Sequence, residues 1–406
     1  MSENLEALLH RARRDYLANV IEYQGRRYLT AGSSQFHTLW VRDFCYSVPG
    51  LLSQEEPQLV ENQLDLIFYY LSPEGILPRG LDVINPKTRV VLNSVFRFLP
   101  QGLRKPGYEG GELTAEYEGE HGTMAFDSLL LVPWALTELC LYWQKRNSVK
   151  ADAIIKKYED TLQRIFFPLK AAIKDGLFFQ DEFSDWQDST RREGAIFTTH
   201  ILFLRLLNNG KKLGLNWFAE IPWPSEEQIF HRFFRQETGL FVNGLGNDGL
   251  KKQFSFEAHL WVLQDKLFSG YIDHEKLFRR LKETALWQEH LGVPVYPASA
   301  ASEVAWTTKI VGLRKYHDGM VWSWLLAEAY KTCIYYGDVP TASRIKTELE
   351  ITVKKDGCIF EVYERKSSNL NGEGNLRPVK TLLYQSEHPF SWGACKWLEA
   401  LTFQQQ

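Results

Sequence analysis

The 406-residue sequence lacks the features that are typical of membrane proteins and nucleic-acid-binding proteins. Its formal net charge is only −3, and no basic stripe stands out among the mixed charges, so we expect no nucleic-acid partner. The most apolar segment, residues 124–143, contains Asp127, Pro133 and Glu138, which predicts a buried helix and not a membrane span. The first residues are polar and acidic, so we expect no secretory signal and a cytoplasmic location.

Cysteine is also scarce, with five residues scattered along the chain. No two of them have the spacing of metal ligands, which predicts reduced thiols in place of a disulfide framework. The histidines show no regular metal-ligand spacing either. The sequence therefore predicts no metal site and no cofactor.

Aromatic residues are abundant at 14%, with 13 tryptophans, and such a surplus often lines ligand clefts. The segment Asp181–Ser189 places four acidic residues around Trp186. An indole can stack on the C–H face of a sugar, and a carboxyl group in a partly apolar pocket can keep its proton at neutral pH. The segment therefore indicates carbohydrate chemistry, although an acidic loop before a helix is also typical of N-capping.

Hydrophobic periodicity predicts a mostly helical chain, because no strand-like run alternates regularly enough with helices to support a doubly wound sheet. The segment 81–120 is poor in helix signals and reads as an irregular insertion. It contains a strand-like run at 89–98 and an acidic, glycine-rich loop at 107–120, which we expect to be a solvated flap. Twelve helices are predicted, at 4–21, 39–52, 60–71, 126–145, 148–174, 196–213, 225–234, 255–268, 274–287, 319–336, 341–354 and 392–403.

A weak internal repeat links these helices. Short apolar segments follow a glycine at broadly similar intervals, and each interval holds two helices' worth of chain. Glycine there would supply the positive φ that lets the chain turn. The repeat predicts one domain, residues 1–406, built as a closed ring of six helix pairs, although glycine after an acidic residue is also a common helix stop. The glycines are Gly75, Gly122, Gly176, Gly239, Gly292 and Gly357.

In such a ring the segments after each glycine would converge on one cleft. Two of them are rich in carboxylates, the segment around Asp188 and the segment around Glu361, and they would lie on opposite sides of the ring. Hydrolysis of a glycosidic bond needs one protonated carboxyl group and one ionised one. The other cleft candidates are Pro78, Arg79, Asp127, Asp185, Trp186, Asn243, Tyr296 and Tyr363.

Five short motifs, in this order, resemble those of the six-hairpin, (α/α)6-toroid glycosidases, and most closely those of the neutral/alkaline invertases. Glucoamylases, trehalases and glycogen-debranching α-glucosidases belong to the same group. The resemblance spans roughly residues 36–400 and implies an all-α toroid with short β-segments in the loops at the cleft end. The motifs are Trp40-Val-Arg-Asp-Phe44, Ala125-Phe-Asp-Ser-Leu129, Ser184-Asp-Trp-Gln-Asp-Ser-Thr190, Lys315-Tyr-His-Asp-Gly-Met-Val-Trp322, and Phe360-Glu-Val-Tyr363 with Glu387-His-Pro-Phe-Ser-Trp392.

The resemblance implies single displacement with inversion, with Asp188 as the general acid and Glu361 as the general base. The acid would need a raised pKa, which we expect burial and acidic neighbours to supply. Asp185 is a rival for the role of general acid, because the motif around Asp188 departs from the pattern of both families. The glucoamylases place their acid one position earlier, where this chain has Gln187. The invertases have different residues directly after their acid. The resemblance also suggests sugar-binding or cleft-wall roles for Arg42, Asp43, Asp127, Asp185, Trp186, His317, Trp322, Tyr363 and Trp392.

The predicted substrate is a small soluble α-glucoside or a sucrose-like sugar, because a single toroid carries no added carbohydrate-binding module. Two other functions remain open at this point. The same ring serves sugar epimerases, which would use paired histidines such as His317 and His388. It also serves non-catalytic carbohydrate-binding proteins. At the level of single residues, Asp188 could be a helix cap, and Arg42 with Asp43 could be a structural ion pair.

Overall fold

The computed structural model describes residues 3–86, 88–89, 92, 107–108, 111–119, 121–217, 221–246, 249–251, 253–365 and 376–403. Helices dominate this part of the chain, as the sequence predicts. Most of the predicted strand-like run at 89–98 lies outside the described residues, as do residues 109, 110 and 120 of the acidic loop at 107–120. In the described part of that loop, Thr114–Glu116 pair with Gly80–Asp82, and Tyr108 and Leu113 are buried, so the expected solvated flap is wrong there. The α-helices are α1 Glu3–Leu17, α2 Val41–Ser53, α3 Pro57–Tyr69, α4 Ser128–Gln144, α5 Ser148–Ala171, α6 Phe197–Lys212, α7 Glu226–Phe233, α8 Phe256–Gln264, α9 His274–Lys282, α10 Ala285–Gln288, α11 Trp306–Ile310, α12 Ser323–Tyr335, α13 Val339–Asp356 and α14 Ser391–Phe403.

Six of these helices contact one another in a closed cycle. Helix α2 packs on α4, α4 on α6, α6 on α8, α8 on α12, α12 on α14, and α14 returns to α2. Six others pack around this inner set: α1 on α14, α3 on α2, α5 on α4, α7 on α6, α9 on α8 and α13 on α12. Outer and inner helices alternate along the chain, so the cycle consists of six consecutive helix pairs.

The difference between inner and outer helices follows from their sequences. In α4 every residue from Ser128 to Thr137 is buried, as expected for a helix surrounded by other helices. The outer helix α9 is amphipathic, since Leu277, Phe278 and Leu281 are buried while its basic residues lie on the other face. The main core cluster gathers side chains from both sets of helices.

Seven small antiparallel sheets occur in the described residues. Strands β3, β8, β13 and β15 each run directly into an inner helix: α2, α6, α8 and α12. The strands are β1 Val20–Tyr23, β2 Arg26–Leu29, β3 Leu39–Trp40, β4 Gly80–Asp82, β5 Thr114–Glu116, β6 Ile173–Lys174, β7 Leu177–Phe178, β8 Ala195–Ile196, β9 Phe234–Arg235, β10 Leu240–Phe241, β11 Gly244–Gly246, β12 Gly249–Lys251, β13 Phe254–Ser255, β14 Val295–Tyr296, β15 Val321–Trp322, β16 Val362–Arg365 and β17 Leu376–Pro378.

The six glycines of the predicted repeat all have a positive φ, between 68° and 88°. Gly357 is the left-handed C-cap of α13, where a residue with a Cβ would be strained. Two of the others, Gly176 and Gly239, occupy tight turns between paired strands. The repeat therefore marks chain reversals, and these lie at the ends of helices or between them.

Some predicted helix boundaries are wrong. The first helix ends at Leu17 and not at residue 21, because residues 20–29 form the β1–β2 hairpin. The predicted helix 319–336 begins only at Ser323, since β15 pairs with β16. The predicted helix 274–287 divides at Thr284, whose side chain caps the separate helix α10. No helix of the described residues is long and apolar enough to cross a membrane.

Candidate active site

A cavity of about 230 Å³ lies where the chain enters several inner helices. Arg42 and Asp43 reach it from the first turn of α2, and Trp322 and Trp392 from the starts of α12 and α14. Eight of the eleven residues to which the resemblance assigns a catalytic or sugar-binding role line it together: Arg42, Asp43, Trp186, Asp188, His317, Trp322, Glu361 and Trp392. Arg79, another cleft candidate, also lines the cavity, whereas Pro78, Asn243 and Tyr296 do not, so the sequence identifies only part of this wall.

Asp188 faces two arginines. Its Oδ2 accepts hydrogen bonds from Arg42 Nη1 at 3.1 Å and from Arg79 Nη2 at 2.9 Å. Burial raises the pKa of Asp188, but the charges of Arg79 and Arg42 outweigh it, so its pKa lies below the ordinary value. The expectation that acidic neighbours raise this pKa is wrong, because the nearest charged groups are guanidinium groups. Asp188 is therefore ionised in this arrangement.

Arg42 is fixed from behind by Asp127. Arg42 Nε and Nη2 donate to the two carboxylate oxygens of Asp127 at 2.7 and 3.0 Å. Asp127 is fully buried and does not line the cavity, so its assignment to sugar binding is corrected: it positions Arg42. The alternative ion pair between Arg42 and Asp43 is also not formed, since the acidic partners of Arg42 are Asp127 and Asp188.

Asp185 does not fit the role of general acid or sugar ligand that the sequence left open. It is 3% exposed and lies outside the cavity lining. Its carboxylate accepts from Gln180 Nε2 and from the backbone N–H of Gln187, both at 2.9 Å, and pairs with Arg192 at 3.5 Å. These bonds fix the conformation of the segment Asp181–Ser189, so Asp185 supports the segment that presents Asp188 and Trp186.

Glu361 is surrounded by phenols. The hydroxyl of Tyr316 donates to Glu361 Oε1, and that of Tyr384 donates to Oε2 at 2.7 Å. Burial raises the pKa of Glu361 to about 7, against the lowering effect of the two tyrosines and with a further rise from the charge of Glu387. The two catalytic candidates therefore have opposite pKa shifts.

Tyr363 was predicted as a cleft residue, and this is wrong. It is fully buried, outside the cavity lining, and its hydroxyl oxygen accepts from the backbone N–H of Phe360 at 2.9 Å. Tyr316 and Tyr384, which the sequence analysis did not select, provide the phenols of the cavity instead. Tyr316 could have been found, because it precedes His317 in a motif that was already recognised.

Asp43 is a third carboxyl group of the cavity. Burial raises its pKa to about 7; the neighbouring charge of Arg42 lowers it and the charge of Glu361 raises it. The negative charges of Asp43 and Glu361 therefore repel each other across the cavity, and ionisation of one disfavours ionisation of the other. A carboxyl group in this setting can accept hydrogen bonds from sugar hydroxyls or donate one when it is protonated.

Aromatic side chains form another part of the wall. The His317 ring stacks on Trp322 with centroids 5.0 Å apart, and its Nδ1 lies 2.6 Å from Ser189 Oγ. Burial lowers the pKa of His317 to about 3, so the ring is neutral. Trp186 contacts Trp322 edge-on, at 5.4 Å between centroids. His388 does not line the cavity, so the pair His317 and His388 is not assembled there; the second histidine of the described lining is His121.

One loop of the wall is held by a buried glutamate that the sequence analysis did not select. Glu387 accepts hydrogen bonds from the backbone N–H groups of Ser34 and Phe36, at 2.6 and 2.8 Å. Gln35 and Phe36, within the same loop, line the cavity. Glu387 therefore shapes the wall and, by its charge, also affects the pKa of Glu361.

No family model and no curated protein matches the sequence. Solved structures do match its fold. One is the GH63 mannosylglycerate hydrolase from Thermus thermophilus in complex with Tris, with a TM-score of 0.61, 13% identity, and coverage of 97% of this chain and 99% of that chain. A glycosidase variant in complex with glucose has a TM-score of 0.59 and 12% identity, with coverage of 100% and 99%.

The GH78 rhamnosidase of Bacillus sp. GL1 is also similar, with a TM-score of 0.56 and 13% identity, over 98% of this chain and 34% of that chain. At such low identity the likeness establishes the fold alone. The chain therefore shares its fold with glycoside hydrolases. The closer resemblance to invertases remains a prediction from the motifs.

Proposed function

We propose that this protein is an inverting glycoside hydrolase that acts on a small α-glucoside, with one catalytic domain built as an (α/α)6 toroid. The observation that carries the proposal is the pair Asp188 and Glu361, which line one cavity with pKa values shifted in opposite directions. Near neutral pH such a pair holds one proton, which is the number that acid–base hydrolysis needs. The shared fold of glycoside hydrolases supports the proposal.

The reaction proceeds in one step. Asp188 donates a proton to the glycosidic oxygen while Glu361 takes a proton from a water molecule. The water oxygen attacks the anomeric carbon from the face opposite the leaving group, and the bond to the leaving oxygen breaks. The products are a hemiacetal of inverted configuration and a free alcohol. The reaction leaves Asp188 ionised and Glu361 protonated.

The protein groups of the cavity favour this same charge state, with Asp188 ionised by its arginines and Glu361 largely protonated below pH 7. In our proposal each turnover therefore begins with transfer of that proton from Glu361 to Asp188. The charges of the protein groups alone would favour the reverse order, with Glu361 as the acid. We assign the acid to Asp188 because of the motif resemblance, and the leaving-group experiment below separates the two orders.

Sugar binding in this proposal uses the aromatic and charged parts of the wall. Trp186, Trp322 and Trp392 offer ring faces or edges to the C–H surface of the sugar. Asp43 accepts hydrogen bonds from vicinal hydroxyls, and Arg42 orients the carboxylate of Asp188. Neighbouring structures that hold Tris, D-glycerate or glucose support a small polyhydroxylated ligand.

The test is hydrolysis of a substrate panel by the wild type, Asp188→Asn and Glu361→Gln. The panel includes sucrose, trehalose, maltose, methyl α-glucoside, mannosylglycerate and an α-rhamnoside. We expect each variant to lose roughly 10²–10⁴-fold in kcat on the best substrate. Asp181→Asn is the matched control, since this exposed carboxyl lies in the same loop as Asp188 and outside the cavity lining.

Wild-type turnover in either variant would refute the assignment of the pair. Exchange of a reducing sugar's C–H hydrogens in D2O without any cleavage would favour an epimerase. Binding without any reaction would favour a carbohydrate-binding protein.

α-Glucosyl fluoride identifies the acid, because fluoride leaves without protonation. We expect Asp188→Asn to keep a much larger share of its activity on the fluoride than on a disaccharide. Glu361→Gln should lose activity on both. The opposite pattern would make Glu361 the acid.

A further inference from the structure

The cavity lining has two chemically different parts. The charged part consists of Arg42, Asp43, Arg79, Asp188 and Glu361, and the proposed reaction uses all of it. A second part, here called the loop set, is apolar and comes from segments between helices. The loop set consists of Phe36, Phe183, Val311, Leu313 and Leu383.

The loop set is held in place by specific bonds. Thr381 Oγ1 donates to the backbone oxygen of Val311 at 2.6 Å, which joins the loop of Val311 to the loop of Leu383. The backbone N–H of Phe36 is bound by Glu387 at 2.8 Å. The loops of Val311 and Leu383 are thus tied to each other, and Phe36 is tied to the buried carboxylate of Glu387.

Phe183 adds a conformational argument. Its φ is +58°, in the left-handed region that bulky residues rarely adopt. Its ring stacks on His121 with centroids 4.0 Å apart and lines the cavity. Unusual backbone conformations of this kind concentrate at ligand-binding sites, where the surrounding structure maintains them. The segment Asp181–Ser189 therefore presents an apolar ring to the cavity as well as the carboxylate of Asp188.

An apolar wall suits an apolar ligand. A second sugar placed against the loop set would lose hydrogen bonds to water without replacement, which is unfavourable. Both arginines of the described cavity lining already bind Asp188, and the other polar side chains near the loop set are Gln35, Thr307, Thr308 and the imidazole of His121. The described lining therefore offers an anionic leaving group no lysine or arginine outside the catalytic network.

We propose that the loop set is the leaving-group subsite and that the natural substrate is a glycoside of an uncharged, apolar alcohol, such as an alkyl or aryl glucoside. This inference rests on the proposed glycosidase function and narrows its substrate class. The alcohol would leave towards the loop set, while the sugar stays among the charged and indole groups.

The test uses α-glucosides that differ only in the leaving alcohol: methyl, butyl, hexyl and octyl, with sucrose and a glucosylglycerate for comparison. We expect kcat/KM to rise roughly two- to four-fold for each added methylene until the subsite is filled. The ratio of kcat/KM for octyl and methyl glucoside is the diagnostic quantity, because it cancels effects on the sugar and on folding.

Leu383→Ser should lower that ratio several-fold, because a polar group replaces an apolar contact of the subsite. Leu382→Ser is the matched control, since Leu382 is 83% exposed and outside the cavity lining, and it should keep the wild-type ratio. An octyl-to-methyl ratio near one in the wild type would overturn the inference while leaving the glycosidase function intact. So would cleavage of sucrose or glucosylglycerate about tenfold faster than octyl glucoside. If no glycoside is cleaved, the proposed function and this inference both fail.

Discussion

Glu361 shows how a few contacts set the protonation of a whole site. Burial removes water from its carboxyl group, while Tyr316 and Tyr384 each donate a hydrogen bond to one of its oxygens. Asp188 and Glu361 share one proton. The resulting pKa of about 7 lets Glu361 hold this proton at lower pH and release it at higher pH. In the proposed mechanism activity therefore falls as the pH rises through about 7, when the pair loses its last proton.

Tyr384→Phe tests this electrostatic balance. The Tyr384 hydroxyl stabilises the ionised form of Glu361, so its removal raises the pKa of Glu361 further. We expect the alkaline limb of the kcat/KM profile to move to higher pH by about one unit. Tyr363→Phe is the control, because this buried phenol contacts the backbone of Phe360 and not Glu361. A limb that stays in place, or moves equally in both variants, would contradict the account.

Single residues of the site differ in how far the sequence reveals them. Asp188 and Glu361 lie in recognisable motifs and do line one cavity. Tyr363 shares a motif with Glu361 but turns away from the cavity, which a motif cannot indicate. Tyr384 and Glu387 reach Glu361 through hydrogen bonds between loops, and no local pattern marks such contacts.

At the scale of elements, helix α1 anchors the segment that carries Glu361. The carboxylate of Asp15 accepts from the backbone N–H of Ile359 at 2.7 Å. Asn19 Nδ2 donates to Ser391 Oγ at 2.8 Å and to the oxygen of Pro389 at 3.0 Å. Burial raises the pKa of Asp15 to about 7, despite the lowering effects of the hydrogen bond from Ile359 and the charge of Arg14.

Asp15→Asn isolates the energetic effect of this buried acid. The folded state keeps its proton up to about pH 7, whereas the unfolded state releases it near its ordinary pKa of 3.8. The stability contribution of Asp15 is therefore greatest below pH 4 and is lost as the pH rises through 7. Asparagine keeps an oxygen for Ile359 and does not ionise.

We compare the unfolding free energy of the variant with that of the wild type at each pH. We expect this difference to be about 2–3 kcal/mol more favourable to the variant at pH 8 than at pH 5. Urea denaturation at the two pH values measures this difference. An equal gap between the two proteins at both pH values would show that Asp15 does not titrate as described.

The elements themselves follow largely from hydrophobic periodicity, and their ends do not. The helix predicted at 319–336 begins at Ser323 because Val321 and Trp322 pair with Val362 and Tyr363. That pairing joins segments far apart in the sequence, which a local pattern cannot show. The short helix α11, which borders the cavity, was missed because its five residues cannot display a period.

At the scale of the molecule, contact between α14 and α2 closes the cycle of inner helices. A buried ionic cluster lies within the inner set. Lys396 of α14 is 1% exposed and lies 2.8 Å from both Glu328 of α12 and Glu399 of α14. Removing one partner of such a cluster leaves buried charge without compensation. The glycine repeat predicted the alternation of helix pairs, but it carried no information about this cluster.

Lys396→Met tests the structural role of the cluster. We expect a loss of about 3–5 kcal/mol in unfolding free energy, because Glu328 and Glu399 lose a shared cation. kcat/KM should stay unchanged below the unfolding temperature, since Lys396 does not line the cavity. Lys276→Met is the control: Lys276 is 76% exposed and 3.9 Å from Asp273, so its removal should cost at most about 0.5 kcal/mol. Equal losses in the two variants would contradict a specific role for the cluster.

The central claim is single-displacement hydrolysis by Asp188 and Glu361, and the configuration of the first product tests it most directly. Proton NMR can follow the anomeric signals during the first minutes of cleavage of the best α-glucoside, before mutarotation mixes the anomers. We expect β-glucose to appear first and α-glucose to follow only as mutarotation proceeds. Initial release of α-glucose would contradict the account, because it would require a covalent intermediate in place of direct attack by water.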